Sequence, residues 1–209
     1  MSNAKAKFDK TFNRCNAMIQ LYNELKETTD ETENIPQDIL RGAIVLAVAA
    51  FDAYATDCFS EYFVIYIKKY GVDSSLEKLL GNAGFTVKFA LELINSERPY
   101  RKMRTLIEKY YYKYTTQQLK VIDELFRQYH IKDITKKAAQ RSGKNEDRLL
   151  GSVEKIIERR HNIVHDGDYN DQNRIKSVSK TDLNRIYDLR LLVENMDYII
   201  ENRINPTQK

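Results

Sequence analysis

The sequence contains no tryptophan, and only 3 of its 209 residues are proline, 7 glycine and 2 cysteine. So few prolines and glycines leave little to interrupt long helices. Two cysteines, Cys15 and Cys58, cannot build a disulfide framework or a zinc site, and Cys58 in its apolar stretch reads as a buried thiol. No segment alternates apolar and polar residues as a strand would, and no repeat, low-complexity tract or linker interrupts the chain. The longest apolar run, residues 43–51, falls short of the roughly 20 residues that span a bilayer. Nothing behind the first residues resembles the apolar core of a secretory signal, and Ser2-Asn3-Ala4, which also fits a cloning remnant, carries no functional reading. The expected compartment is the cytoplasm, with no membrane partner.

What is present is charge and helical periodicity. Hydrophobic residues make up 42% and charged residues 31%, so a sizeable core can form under a well-solvated surface. The net charge of +4 is unevenly spread: residues 98–160 hold 17 Lys and Arg against 8 Asp and Glu, whereas both flanking segments are slightly acidic. A basic middle fits a polyanionic partner, although solvated helix faces would look the same.

Apolar spacing predicts a helix over residues 5–27, then a polar acidic loop at 28–34. Pro36 sits where a first helical turn accepts proline, and nothing but Gly42 interrupts the next stretch up to Tyr70. A helix of about 34 residues would run about 50 Å, and its all-round apolar middle makes it the central buried element. Gly71, Gly81 and Gly84 punctuate the following segment. A shorter helix is expected over 85–94, two or three more between 100 and 137, and a polar loop at 140–147. A further helix starts near Asn145 and stops at Asp166-Gly167-Asp168. The last begins at a Ser179/Asp182 capping box and runs to about Arg203. The expectation is an all-α, up-and-down bundle of long helices in one domain, residues 1–209, with a basic helical insertion at 98–140.

The helix ending at His165 breaks its own pattern. Leu149, Val153 and Ile156 form an inward stripe whose next step lands on Arg160. A guanidinium cannot be deprotonated and is costly to bury unpaired, so it must meet a carboxylate, an anionic ligand or a wet cleft. His161 and His165 lie one turn apart beside it, two of the three histidines in the chain. Imidazole moves protons near neutral pH, and arginine holds phosphate through paired donors. Together they suffice to cleave RNA through its own 2′-hydroxyl. Yet Arg160 and His165 diverge by about 140° around the axis. They can converge on a ligand at a groove lip, or where another copy of the helix supplies the opposite wall, and the second arrangement is the one expected.

Arg160-His161-Asn162-Ile163-Val164-His165 resembles the Arg-polar-x3-His form of the motif of HEPN domains. With Glu158-Arg159 before it and Asp166-Gly167 after it, the string looks closest to the RiboL-PSP branch. The string Arg41-Gly42-Ala43-Ile44-Val45-Leu46-Ala47-Val48-Ala49-Ala50-Phe51-Asp52-Ala53-Tyr54 also resembles that branch's apolar helix. The likeness spans residues 5–203, and the basic middle matches no known pattern. It implies a helical bundle and a homodimer with motif helices facing each other. It further implies a metal-independent endoribonuclease, without cofactor, leaving a 2′,3′-cyclic phosphate, in a toxin–antitoxin, antiphage or RNA-processing setting with a possible antitoxin partner. One feature departs from the nucleotidyltransferase-controlled members, in which a tyrosine lies two residues after the motif histidine. Here that position is Gly167, and the nearest tyrosine is Tyr169.

Arg160, His165 and His161 are the candidate catalytic residues. Asn162, Arg159 and Tyr54 are carried as substrate contacts, against surface positions for the first two and core packing for Tyr54. Asp52, in the apolar helix, is expected to pair with Arg160 and orient it, because a buried carboxylate wants a partner. Asp166 and Asp168 read as turn residues and not as metal ligands. Tyrosines 110–114 fit base stacking or packing. The alternative to a ribonuclease is a non-catalytic module that binds RNA, a nucleotide or a protein at the Arg160/His165 cleft; a purely structural helical dimer is the third reading.

Overall fold

The computed structural model describes residues 2–26, 35–112 and 118–204. Among these, the chain forms helices α1 (Asn3–Lys26), α2 (Ile35–Tyr70), α3 (Ser74–Asn82), α4 (Val87–Ile94), α5 (Pro99–Tyr111), α6 (Leu119–Arg127), α7 (Ile134–Arg141), α8 (Glu146–His165) and α9 (Lys180–Ile204). The only extended pairing in the described residues is a single bridge between Tyr169 and Ile175.

The 36-residue α2 is the axle, about 54 Å long at 1.5 Å per residue. It packs along α1 and touches α5, α6, α8 and α9. Ala43, Ile44, Ala47, Val48, Phe51, Ala55, Cys58, Phe59 and Phe63 are all buried on it. By length and composition alone α2 could cross a bilayer, more than the short run 43–51 suggests, but 56% of its most apolar window is buried inside the bundle. A Cβ at Gly42 would lie 2.6 Å from the Met18 Cε, so the flexible Met18 side chain would have to shift to admit one.

The basic middle segment is no appendage. Ile107 and Tyr111 of α5, Ile122 and Phe126 of α6 and Ala138 of α7 belong to the same buried cluster as α2 and α9. Tyr111 is thus a packing residue, edge-on to Phe59 at 4.9 Å, while Tyr112 is 90% exposed. Lys113 and Tyr114 lie outside the described residues. Helix α3 was not apparent from the sequence, where Gly71 and Gly81 read as punctuation. Asp73 caps it by accepting from the Leu76 amide at 2.9 Å, and Leu76, Leu79 and Leu80 are buried. The box at α9 forms as expected: the Ser179 amide donates to Asp182 at 2.9 Å, and the Asp182 amide donates to the Ser179 hydroxyl at 3.2 Å.

Asp197 on α9 is buried, accepting from the Ser2 hydroxyl at 2.9 Å and the Tyr54 hydroxyl at 3.3 Å. Burial raises its carboxyl above the ordinary value, against the lowering effect of the Ser2 hydrogen bond. A raised carboxyl means that the folded state keeps its proton longer than the unfolded chain. This group therefore favours folding at low pH and loses that contribution as pH rises through its folded value. Asp197→Asn keeps both accepted hydrogen bonds. Its melting temperature is expected to gain on wild type as pH goes from 4 to 7; a difference that is flat or falls with pH would contradict the burial argument. Both thiols are inert by the same cause: burial lifts Cys15 to about 11 and Cys58 well above its usual range.

Candidate active site

Helix α8 starts at Asn145, whose side chain accepts from the Arg148 amide at 2.9 Å. Leu149, Val153 and Ile156 are buried against the core, as their spacing demands. One step further the stripe reaches Arg160, which is half-buried. Its Nε is buried without a hydrogen-bond partner, and no ion pair to it forms among the described residues.

Arg160 faces a cavity of about 660 Å³, within the ordinary range of ligand sites, about 300–1,000 Å³. His161 and His165 line the same cavity, with ring centroids 4.5 Å apart and both rings exposed. The opposite wall is Gln118, Leu119 and Lys120 at the start of α6. The basic middle segment of the same chain thus contributes to the lining of this cavity. Glu154 and Glu158 also line the cavity, so it mixes charges of both signs.

Behind the cavity, α8 is locked at its C-terminal turn. The Asn162 carbonyl accepts from the amides of Asp166 at 3.0 Å and Asp168 at 3.1 Å. Gly167 and Asp168 follow with φ of 65° and 64°, the left-handed turn that glycine makes easy and Asp tolerates. This fold-back buries the Asp168 carboxylate completely. Its Oδ2 accepts from Arg159 at 2.8 Å and from Arg41 at 2.9 Å. Both guanidinium groups also donate to the Lys176 carbonyl, at 3.1 Å and 2.6 Å. Arg41 reaches on to Asp38 at 2.8 Å. The loop between α8 and α9 is thereby riveted to the start of α2.

Several expected roles change with these contacts. Arg159 is no surface phosphate contact; it belongs to the Asp168 clamp, with its side chain 13% exposed. Tyr54 does not line the cleft: it is buried in the core, pointing its hydroxyl at Asp197 on α9. Asp52 does not pair with Arg160 within the chain. It is half-buried on α2 and has interactions of its own, but no ion pair of 4.0 Å or less joins the two. Asn162 is half-buried and serves the helix end through its carbonyl. Asp168 is more than a turn residue, and Arg41, seen in the sequence only as the start of an apolar string, is its partner.

An all-α bundle whose core-facing helix ends in Arg160-x4-His165, both facing one cavity, has the architecture of a HEPN domain. The chain belongs to the RiboL-PSP-HEPN family, whose sequence profile matches residues 9–202. None of the curated proteins and none of the solved structures matches it.

Proposed function

We propose that the protein is a metal-independent endoribonuclease acting at the Arg160/His161/His165 cavity. The observation that carries this reading is the cavity that Arg160 lines together with two histidines, with no ion pair to its guanidinium among the described residues. A half-buried guanidinium at a cavity wall, not tied to a carboxylate, can take an anionic ligand. A phosphodiester supplies the missing anion.

In this mechanism His165 takes the proton from the RNA 2′-hydroxyl, and the freed oxygen attacks the adjacent phosphorus. The P–O5′ bond breaks, His161 returns a proton to the leaving 5′-oxygen, and a 2′,3′-cyclic phosphate remains. Arg160 donates to the non-bridging oxygens as negative charge gathers on them. A homodimer with facing motif helices would widen the groove for a longer RNA, and a toxin–antitoxin or antiphage role fits such an activity. The expected result is cleavage of unstructured RNA in EDTA by the wild type and loss of it in His165→Ala. No cleavage by the wild type over varied RNAs, or equal rates in both proteins, would remove the enzyme claim. Salt-sensitive binding without turnover would leave the binding module in its place.

Lys120 is exposed on the opposite wall and has no ion pair among the described residues. In this reading it holds a phosphate that flanks the scissile one. Lys120→Ala is expected to raise KM several-fold, leave kcat unchanged and reduce the salt slope of RNA binding by about one contact. A kcat effect without a KM effect would place Lys120 elsewhere in the mechanism.

A further inference from the structure

The basic middle segment opens on a row of cations that the Arg160 cavity does not use. Arg98 caps α5, and Arg101, Lys102 and Lys109 follow on the helix. At about 100° and 1.5 Å per residue the four fall within an arc of about 100°, spread over about 16 Å of helix axis. All four are exposed, and none has an ion pair among the described residues. The one carboxylate of α5, Glu108, is held by Arg104 at 2.7 Å, so nothing on α5 neutralises the row.

The four cations line a groove of about 410 Å³ between α4 and α5, with no Asp or Glu in its lining. Phe89 and Leu106 are its apolar walls. Phe89 is half-buried, and Phe85 sets its ring by an edge-on contact with centroids 5.5 Å apart and planes at 73°. The face therefore combines a line of unpaired charge with a fixed aromatic ring.

We infer that the α4–α5 groove binds single-stranded nucleic acid, with phosphates against the four cations and an unpaired base on the Phe89 ring. A strand repeats one charge and one flat ring per nucleotide, and the groove offers a partner for both. The length of the row matches roughly five stacked nucleotides at about 3.4 Å each. A duplex keeps its bases inside and would meet the cations alone. An anionic bilayer fails on geometry: the exposed aliphatics of α4, Val87, Leu91 and Ile94, lie about 140–200° from Phe89 around the axis, so a flat surface that takes them up cannot reach the groove. An acidic peptide would meet the row but leaves the ring unused. It would also collect less of the field of residues 98–160, with 17 Lys and Arg against 8 Asp and Glu. The groove is walled by α4 and α5, whereas α6 and α8 line the Arg160 cavity, and no cleavage step enters the inference.

The test uses the full chain and a short fluorescein-labelled oligothymidylate, which lacks the 2′-hydroxyl that cleavage needs. A second arm uses the matching oligouridylate with the His165→Ala protein, so that the RNA stays intact; binding of either strand supports the inference, and the two arms assign the sugar. Arg101 also lines a neighbouring groove with Glu61, so the charge variant is Lys102→Glu with Lys109→Glu. The ring variant, Phe89→Leu, keeps apolar bulk, and both variants should melt with wild type. The expected result is affinity weakened at least about tenfold in the charge variant, with the slope of log K against log salt flattened by about 0.7 per lost contact. The ring variant should weaken binding at least about fivefold. A strand carrying 5-iodouracil should crosslink to the peptide that holds Phe89. No binding of either strand, affinity unchanged in either variant, or crosslinks confined to α8 would overturn the inference. So would a duplex binding as tightly as the single strand, or an oligoglutamate of equal charge displacing it at equal concentration, since either would leave a bare row of cations. A protein without ribonuclease activity changes none of these outcomes, so the two readings fail separately.

Discussion

Arg160→Lys is expected to be nearly as inactive as Arg160→Ala, both falling about 10²–10³-fold in kcat with RNA. A planar guanidinium can approach two phosphate oxygens at once, while an ammonium is a point charge on a shorter, freer stem. The Arg160 Nε is already buried at the cavity wall without a partner, and lysine has no donor at that depth. Stability is expected to move the other way. Because no carboxylate pairs with Arg160 among the described residues, Arg160→Met removes a half-buried cation and leaves no orphaned partner. Its melting temperature should equal or exceed that of wild type while cleavage is lost. A purely structural helix end predicts the reverse, with stability lost and any RNA activity untouched. Cleavage assays and thermal melts on the same three variants therefore separate the two readings. An Arg160→Met protein that melts well below wild type would count against the functional one.

The parts of this molecule that were legible in the sequence are those whose cause is local. The stripe Leu149, Val153, Ile156 and then Arg160 is periodicity, and it placed the anomalous arginine before any tertiary contact was known. Asn145, Gly167 and the Ser179/Asp182 box are caps, readable from residue type. Helix α3 was missed because it is short and its own Gly81 resembles a stop; what sustains it is burial of three leucines, a tertiary gain. The Asp168 clamp was illegible for a like reason: Arg41 and Asp168 are separated by 127 positions. Arg159 and Arg160 are adjacent and chemically identical, and only the returning loop decides that one joins the Asp168 clamp while the other lines the cavity. Tyr54 could have been excluded earlier. Two residues on a helix turn by about 200°, so Asp52 and Tyr54 cannot both face one cleft. The α6 wall of the cavity required the fold itself.

Asp168→Ala is expected to be the most destabilising single substitution in this part of the protein, although Asp168 does not line the cavity. The carboxylate is fully buried between two guanidinium groups that are themselves almost wholly buried. Removing it leaves the Arg159 guanidinium without a carboxylate and Arg41 with only the largely exposed Asp38. Loss of one partner from a buried pair costs about 3–5 kcal/mol, or roughly 6–20 °C in melting temperature for a chain of this size. Removing a cation instead should be milder. Arg159→Met leaves Asp168 paired with Arg41 through their own 2.9 Å hydrogen bond, so the buried carboxylate keeps a cation beside it. Urea melts should therefore rank wild type, Arg159→Met and Asp168→Ala in falling stability, with the larger gap before Asp168→Ala. The same clamp fixes the turn that ends α8 at His165, through the Asn162 carbonyl and the Asp168 amide. Asp168→Ala should thus lose cleavage even below its melting temperature, as the last turn frays and His165 leaves the cavity wall. Equal stability of Arg159→Met and Asp168→Ala would mean that the trio is held by packing and not by its charges. The end of α8 would then owe its position to something other than this buried carboxylate.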